Sequence, residues 1–131
     1  MMRILIAEDD PTSRDFLFKF LKEYGVCDMA VDGFEALDAY LVSVKENKSY
    51  DLMCIDIMMP KFDGIKVLKA IRDIESQRNI LPERQAKIII TSALDKAHIA
   101  RSIFECDYNE YISKPIDISK LVGIMQNMGF I

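Results

Sequence analysis

The chain has 131 residues, half of them apolar and 29% charged, which is the length and composition of one globular domain spanning residues 1–131. Its 21 acidic and 17 basic residues give a net charge of −4, which argues against direct nucleic-acid binding through bulk charge. No apolar run approaches the roughly 20 residues of a membrane helix and no signal peptide is evident, so we expect a cytoplasmic protein without membrane contact.

The first half of the chain alternates short apolar runs with helical stripes. Residues 3–7 are an apolar run that Asp10 and Pro11 keep from continuing as a helix, so they predict strand one. Asp10 and Pro11 are themselves typical of a helix start, with a side-chain acceptor at the cap and proline at the first helical position. The stripe of this helix ends at Gly25. The next predicted elements are strand two over 26–31 and helix two over 34–44.

The second half continues this alternation. Residues 52–55 form an apolar run typical of a strand buried on both faces, and the run ends at a single acid, Asp56, before a turn. Residues 87–91 form a similar run that ends in Thr91. The remaining predicted elements are helix three over 65–74, a loop over 75–86, helix four over 96–105, strand five over 110–113 and helix five over 118–125.

Five alternations of strand and helix indicate the fold class. Such alternation requires right-handed crossovers and predicts an α/β fold, with a parallel sheet covered by helices on both faces. In open sheets of this kind the ligand site lies at the carboxyl ends of the strands. Side chains that follow the strands are therefore the candidates for a functional site.

Polar side chains stand at that position on four of the five predicted strands. Glu8 and Asp9 follow strand one, Asp56 follows strand three, Thr91 ends strand four and Lys114 follows strand five. Each has an ordinary alternative: a solvated turn, a strand-terminating acid, a hydroxyl that satisfies the backbone, or an exposed lysine. Their placement at one edge favours a site, because three neighbouring carboxylates repel one another unless a hard cation lies among them.

These residue types together indicate phosphoryl chemistry. Oxygen ligands with room for water are typical of Mg2+. An ammonium group opposite the metal leaves space for a phosphoryl group, to which the Thr91 hydroxyl can donate. We therefore interpret Asp56 as a nucleophile that accepts a phosphoryl group, with Mg2+ as cofactor and with Lys114 and Thr91 as phosphate partners. The sequence has no glycine-rich phosphate loop, so a bound nucleotide is not the expected phosphate source.

Four short segments together resemble the receiver domain of two-component response regulators, across essentially the whole chain. They are Glu8-Asp9 after strand one, I-D-I-M-M-P-K-F-D-G around Asp56, I-I-T-S-A at Thr91 and Y-I-S-K-P from Tyr111. Each segment is common alone, but the four in this order and strand context are highly specific. The resemblance implies a flavodoxin-like (βα)5 fold, doubly wound, with strand order 2-1-3-4-5.

The resemblance also implies roles around the metal and the nucleophile. Asp56 matches the phosphoacceptor, which takes phosphate from a phosphohistidine on a sensor histidine kinase or a phosphotransfer protein. Asp9 and Asp56 match direct Mg2+ ligands, and Glu8 matches a ligand that acts through water. The backbone carbonyl of Met58 matches the group that completes the metal site.

Further positions match the phosphate partner and the switch. Lys114 matches the phosphate-pairing lysine, which a cis proline bond usually follows, here at Pro115. Thr91 and Tyr111 match the switch pair, in which the hydroxyl moves onto the phosphate and the aromatic ring turns inward. The acyl phosphate then changes a surface of helix four, strand five and helix five that a downstream target binds. The same surface is also open to homodimer formation.

Two other functions are compatible with these residues. An aspartyl-phosphate phosphatase or phosphotransferase would need a second acid two residues after the nucleophile, and Met58 occupies that position. We therefore expect no enzyme activity beyond autocatalysis of the chain's own phosphorylation. A docking module that is never phosphorylated is disfavoured by the complete set of matching residues.

Some positions depart from the family pattern. Met58 and Ala93 lie where relatives carry polar side chains that orient the hydrolytic water, so we expect slow self-dephosphorylation. Asp107-Tyr108 stands where many relatives carry Gly-Ala before strand five. The only histidine, His98, is predicted on the surface of helix four.

Overall fold

The computed structural model describes residues 1–104 and 106–131, apart from the side chains of His98 and Ser102. The surface position predicted for His98, and the last residue of the predicted helix four, therefore lie outside the described residues. Within the described part of the chain, no helix is both long enough and apolar enough to span a membrane.

Five parallel strands form one sheet, and their bounds are β1 (Met2–Ala7), β2 (Gly25–Ala30), β3 (Leu52–Asp56), β4 (Lys87–Ser92) and β5 (Glu110–Ser113). Their order is β2-β1-β3-β4-β5, which confirms the flavodoxin-like order. Every residue of β3 is buried, as its unbroken apolar run predicts. Because β3 is the central strand, Asp56 ends between the carboxyl ends of β1 and β4.

Five helices connect these strands, and their bounds are α1 (Pro11–Leu21), α2 (Gly33–Lys45), α3 (Gly64–Gln77), α4 (Lys96–Ile103) and α5 (Ile118–Asn127). Two ends differ from the prediction. Gly25 does not end α1 but begins β2, where an added Cβ would lie 2.2 Å from the Met2 carbonyl oxygen. The predicted loop 75–86 is shorter than expected, because Glu75 is buried on an additional turn of α3 and the loop itself contains a 3-10 turn, Pro82–Arg84.

Aspartates determine where most of the helices begin. The side chain of Asp10 accepts a hydrogen bond from the Ser13 N–H at 2.9 Å, which confirms it as the N-cap of α1. Three other helices begin in the same way. Their caps are Asp32 for α2, Asp63 for α3 and Asp117 for α5.

The sheet separates two apolar clusters. One contains Leu17 and Leu21 of α1 with Leu121 and Met125 of α5, on one face of the sheet. The other lies on the opposite face and includes buried side chains of α2, α3 and α4. Helices thus cover both faces, which confirms the doubly wound α/β architecture. The carboxyl edge of the sheet remains accessible between them.

Candidate functional site

Three acids meet at the carboxyl edge of the sheet. Glu8 and Asp9 follow β1, Asp56 ends β3, and one carboxylate oxygen of each lies within 4.8 Å of the others. Glu8 and Asp56 are only 1% and 3% exposed, whereas Asp9 is exposed. The sequence predicted this grouping from the ends of the strands alone. The cluster is therefore buried on one side and open to solvent on the other.

Lys114 supplies the positive charge beside these acids. Its Nζ lies 3.1 Å from Asp56 Oδ2 and forms an ion pair with Glu8. Its backbone N–H donates to the Ser92 carbonyl at 2.7 Å, which fixes the start of the loop after β5 against β4. The bond from Lys114 to Pro115 is cis, as the resemblance implied. The two buried acids therefore share a single ammonium group.

The charges in this cluster do not balance. Burial raises the pKa of Glu8 to about 7, a hydrogen bond with Asp56 adds to the increase, and the ion pair with Lys114 opposes it. Burial tends to lower the pKa of Lys114, but the neighbouring Glu8 and Asp56 outweigh this and raise it overall. The lysine thus stays charged at neutral pH and pairs with two carboxylates, while Asp9 adds a third carboxylate beside them. A bound cation would relieve their mutual repulsion.

The donor set fits a hard divalent cation. Glu8, Asp9 and Asp56 offer only carboxylate oxygens, and the exposed side at Asp9 leaves room for water ligands. Oxygen ligands with retained waters are typical of Mg2+, whereas zinc sites are built mainly from cysteine and histidine. The residues present therefore suit the ion that the sequence predicted.

The loop after β3, residues 57–63, orients the nucleophile candidate. The Met58 N–H donates to Asp56 Oδ1 at 3.1 Å, while Lys114 contacts the other carboxylate oxygen. The Ile57 N–H donates to the Thr91 carbonyl at 3.0 Å, so pairing between β3 and β4 continues past Asp56. Met58, whose carbonyl is the predicted fourth ligand, therefore directly adjoins the acid cluster.

The two predicted switch residues lie on the neighbouring strands. Thr91 is 2% exposed and is the register partner of Asp56 across β3 and β4. Tyr111 on β5 is 6% exposed, and its hydroxyl donates to the Leu94 carbonyl in the segment after β4. The tyrosine ring therefore lies inward, connected to the same segment that follows Thr91.

Sequence reasoning missed the hydrogen bonds that hold the acids in place. Arg14 on α1 donates to the Glu8 carbonyl at 2.9 Å and to the Asp9 carbonyl at 3.3 Å. The Asp10 N–H donates to Glu8 Oε2 at 3.2 Å, so Asp10 orients the buried acid as well as capping the helix. The position of Arg14 one turn after the cap is the only local signal, and it is a weak one.

Comparison with known proteins gives one consistent result. The family model for the response regulator receiver domain matches residues 4–126. Chemotaxis protein CheY of Treponema pallidum is 30% identical over 122 residues, which cover 92% of this chain and 77% of CheY. Sensor histidine kinase GacS of Pseudomonas protegens is 29% identical over 124 residues, which cover 94% of this chain but 13% of GacS.

A solved structure agrees with these sequence matches. A chain in the crystal structure of the CheX-CheY-BeF3-Mg2+ complex from Borrelia burgdorferi superimposes with a TM-score of 0.81 at 25% identity. The alignment covers 98% of this chain and 89% of that chain. Because the family model matches nearly the whole sequence and the fold has the corresponding strand order, this chain belongs to the response regulator receiver domain family.

Proposed function

We propose that this receiver domain accepts a phosphoryl group on Asp56 in a Mg2+-dependent reaction. The observation that carries the proposal is the arrangement around Asp56, a buried carboxylate 3.1 Å from Lys114 Nζ and within 4.8 Å of two other acids. The structurally similar chain comes from a complex that contains BeF3 and Mg2+, which supports the same chemistry. The donor would be a phosphohistidine on a sensor histidine kinase or a phosphotransfer protein, in the cytoplasm.

The transfer step uses Asp56 as a carboxylate nucleophile. A carboxylate oxygen forms a bond to phosphorus while the bond from phosphorus to the donor imidazole nitrogen breaks, and the imidazole keeps that electron pair and takes up a proton. Lys114 neutralises charge on the transferred group, and the Thr91 hydroxyl donates to one of its oxygens. Mg2+ held by Glu8, Asp9, Asp56 and the Met58 carbonyl would supply further charge neutralisation. Positioning provides much of the rate.

The product is a signal rather than a released compound. The new acyl phosphate attracts the Thr91 hydroxyl. The resemblance implied that the Tyr111 ring turns inward at this step, but the ring already lies inward in this structure, so we propose that it keeps this position as the segment after β4 adjusts. This changes the face formed by α4, β5 and α5, where a target protein or a second copy of the chain binds. The hydroxyl of Tyr111 on the Leu94 carbonyl supports this coupling, because it connects β5 to that segment.

The proposal is tested by incubation with a small-molecule phosphodonor and Mg2+, followed by intact mass measurement. We expect a single phosphate adduct that disappears in Asp56→Asn and in the presence of EDTA. Asp63→Asn is the matched control, because Asp63 caps α3 and asparagine caps equally well. Continuous phosphate release without an adduct would instead indicate an aspartyl-phosphate enzyme, and no reaction would indicate a docking module.

A further inference from the structure

The start of α2, with its cap Asp32, contacts the loop 57–63. The Gly64 N–H donates to the Ile57 carbonyl at 3.0 Å and closes this loop. The Phe62 carbonyl oxygen then lies against Gly33, where an added Cβ would be only 1.5 Å away. Any larger residue at Gly33 would displace either the loop or the start of α2. Gly33 therefore sets how closely the two segments approach.

An ion pair joins the same two segments. Lys61 Nζ lies 3.3 Å from Asp32 Oδ2, and the Asp32 side chain is only 8% exposed. The other oxygen of Asp32 accepts the Glu35 N–H at 2.9 Å as the cap of α2. Lys61 has a φ of 67°, in the left-handed region that lysine adopts uncommonly. The ion pair therefore holds a loop conformation that the lysine backbone does not favour by itself.

An aromatic contact adds a third connection. The rings of Phe34 and Phe62 have centroids 5.4 Å apart and are tilted by 33°. Phe62 also packs against the apolar core, although Phe34 remains 55% exposed. Three consecutive residues, 32–34, thus contact two consecutive residues of the loop, 61 and 62. Residues 32–34 are the cap and the first helical residues of α2, and we call this first turn of the helix the 32–34 turn.

We propose that the 32–34 turn positions the loop 57–63 for phosphoryl transfer. The loop carries Met58, whose N–H orients Asp56 and whose carbonyl is the proposed fourth ligand of the ion. Residues 32–34 act through this loop, so they are positioning residues rather than catalytic ones. This inference rests on the proposed function, because it concerns the geometry of that same site.

Gly33→Ala tests the close approach. We expect the Kd for Mg2+, measured by titration calorimetry, to rise about tenfold, with a similar loss in the rate of adduct formation, since a small displacement of reacting groups is costly. Gly123→Ala is the matched control, because an added Cβ there meets nothing within 4 Å. Urea unfolding of both variants establishes that the folded fraction is unchanged under the assay conditions.

Charge variants separate positioning from simple electrostatics. Asp32→Asn keeps the helix cap but removes the ion pair, and Lys61→Met removes it from the other side. If the 32–34 turn positions the loop, both variants should bind Mg2+ more weakly, by about threefold for a partly exposed pair. Electrostatics alone predicts weaker binding in Asp32→Asn but stronger binding in Lys61→Met, which loses a positive charge. Lys61→Arg keeps the positive charge and should therefore bind Mg2+ with nearly the same affinity as the unmodified chain.

The outcomes distinguish this inference from the proposed function. If the unmodified chain binds Mg2+ and forms the adduct, but Gly33→Ala and Lys61→Met do so equally well, the 32–34 turn has no positioning role. Stronger Mg2+ binding in Lys61→Met overturns the inference in the same way, even if Gly33→Ala fails to fold. If the unmodified chain neither binds Mg2+ nor forms an adduct, the proposed function fails and the inference fails with it.

Discussion

Two buried clusters of acid and cation lie at opposite edges of the sheet, and they differ in charge balance. At the carboxyl edge, the buried Glu8 and Asp56 share the ammonium group of Lys114, and Asp9 adds a third carboxylate within 4.8 Å of both. At the amino edge, Glu75 is 2% exposed and pairs with Arg72 at 2.7 Å, one buried acid for one cation, while the exposed carboxylate of Asp107 lies 3.8 Å from the same guanidinium. Burial alone therefore does not distinguish a functional acid from a structural one.

Hydrogen bonding shows the same contrast. Glu75 also accepts the Ala86 N–H at 2.9 Å, and Arg72 donates to the carbonyls of Ala86 and Asp107 and to the Asn109 side chain. This network connects α3 to the residues before β4 and β5 without using an outside partner. A balanced pair of this kind holds elements together, whereas an excess of buried acid is typical of a functional site.

The largest expected effect comes from breaking the balanced pair. Arg72→Met should lower the free energy of unfolding by about 3–5 kcal/mol, because Glu75 would remain buried without its cation. Urea denaturation followed by circular dichroism measures this change. The double variant Arg72→Met/Glu75→Gln should recover part of the loss, since the neutral amide can still accept the Ala86 N–H. Equal stability of the single and double variants would contradict the role given to charge balance.

The unbalanced cluster should make stability depend on pH. The folded-state pKa of Glu8 is raised from 4.5 to about 7, so the folded chain binds more protons than the unfolded chain in this range. Without divalent cations, the free energy of unfolding should therefore fall as the pH rises from 4.5 to about 7, by about 3 kcal/mol. Urea denaturation in EDTA measures the slope. Glu8→Gln should make the stability less dependent on pH. An unchanged slope would show that Glu8 is not the group responsible for it.

Removing a charge at the site should stabilise the protein, in contrast to Arg72→Met. In EDTA, Asp56→Asn should raise the free energy of unfolding by about 1 kcal/mol, because one of three repelling carboxylates is lost. The amide oxygen can still accept the Met58 N–H. Thermal and urea unfolding provide the measurement, and Mg2+ should stabilise the unmodified chain more than the variant. A less stable variant would show that Asp56 is as well balanced as Glu75.

The smallest expected effect concerns the lifetime of the phosphoryl group. Met58 is 57% exposed and Ala93 is exposed, so water reaches the site without a polar side chain at either position to orient it. Met58→Asn should shorten the lifetime about threefold, which corresponds to ~0.7 kcal/mol in the hydrolysis barrier. Adduct decay after removal of the phosphodonor measures it. Met29→Gln, at another exposed methionine, should leave the decay unchanged.

The sequence predicted the elements and the acid cluster well because both depend on local patterns. Apolar runs identify the strands, and the rule that parallel strands end at one edge brings Glu8, Asp56 and Lys114 together. The end of α3 could not be predicted from the sequence, because Glu75 is buried through contacts with residues beyond its own helix.

Contacts between distant parts of the chain account for the other omissions. Arg72 binds Asn109, 37 residues away, and Lys61 binds Asp32 across two loops. Neither partner could be chosen from spacing, because each depends on how the helices pack on the sheet. Arg14 was missed for a related reason, since its role appears only once α1 lies beside the acids.

The central place of β3 in the sheet has one practical consequence. Cleavage in the connection over residues 46–51 would leave Glu8 and Asp9 on one fragment, and Asp56 and Lys114 on the other. Neither half then contains all of the proposed ion ligands. Restored binding of the proposed Mg2+ ion would report that the two fragments had reassociated.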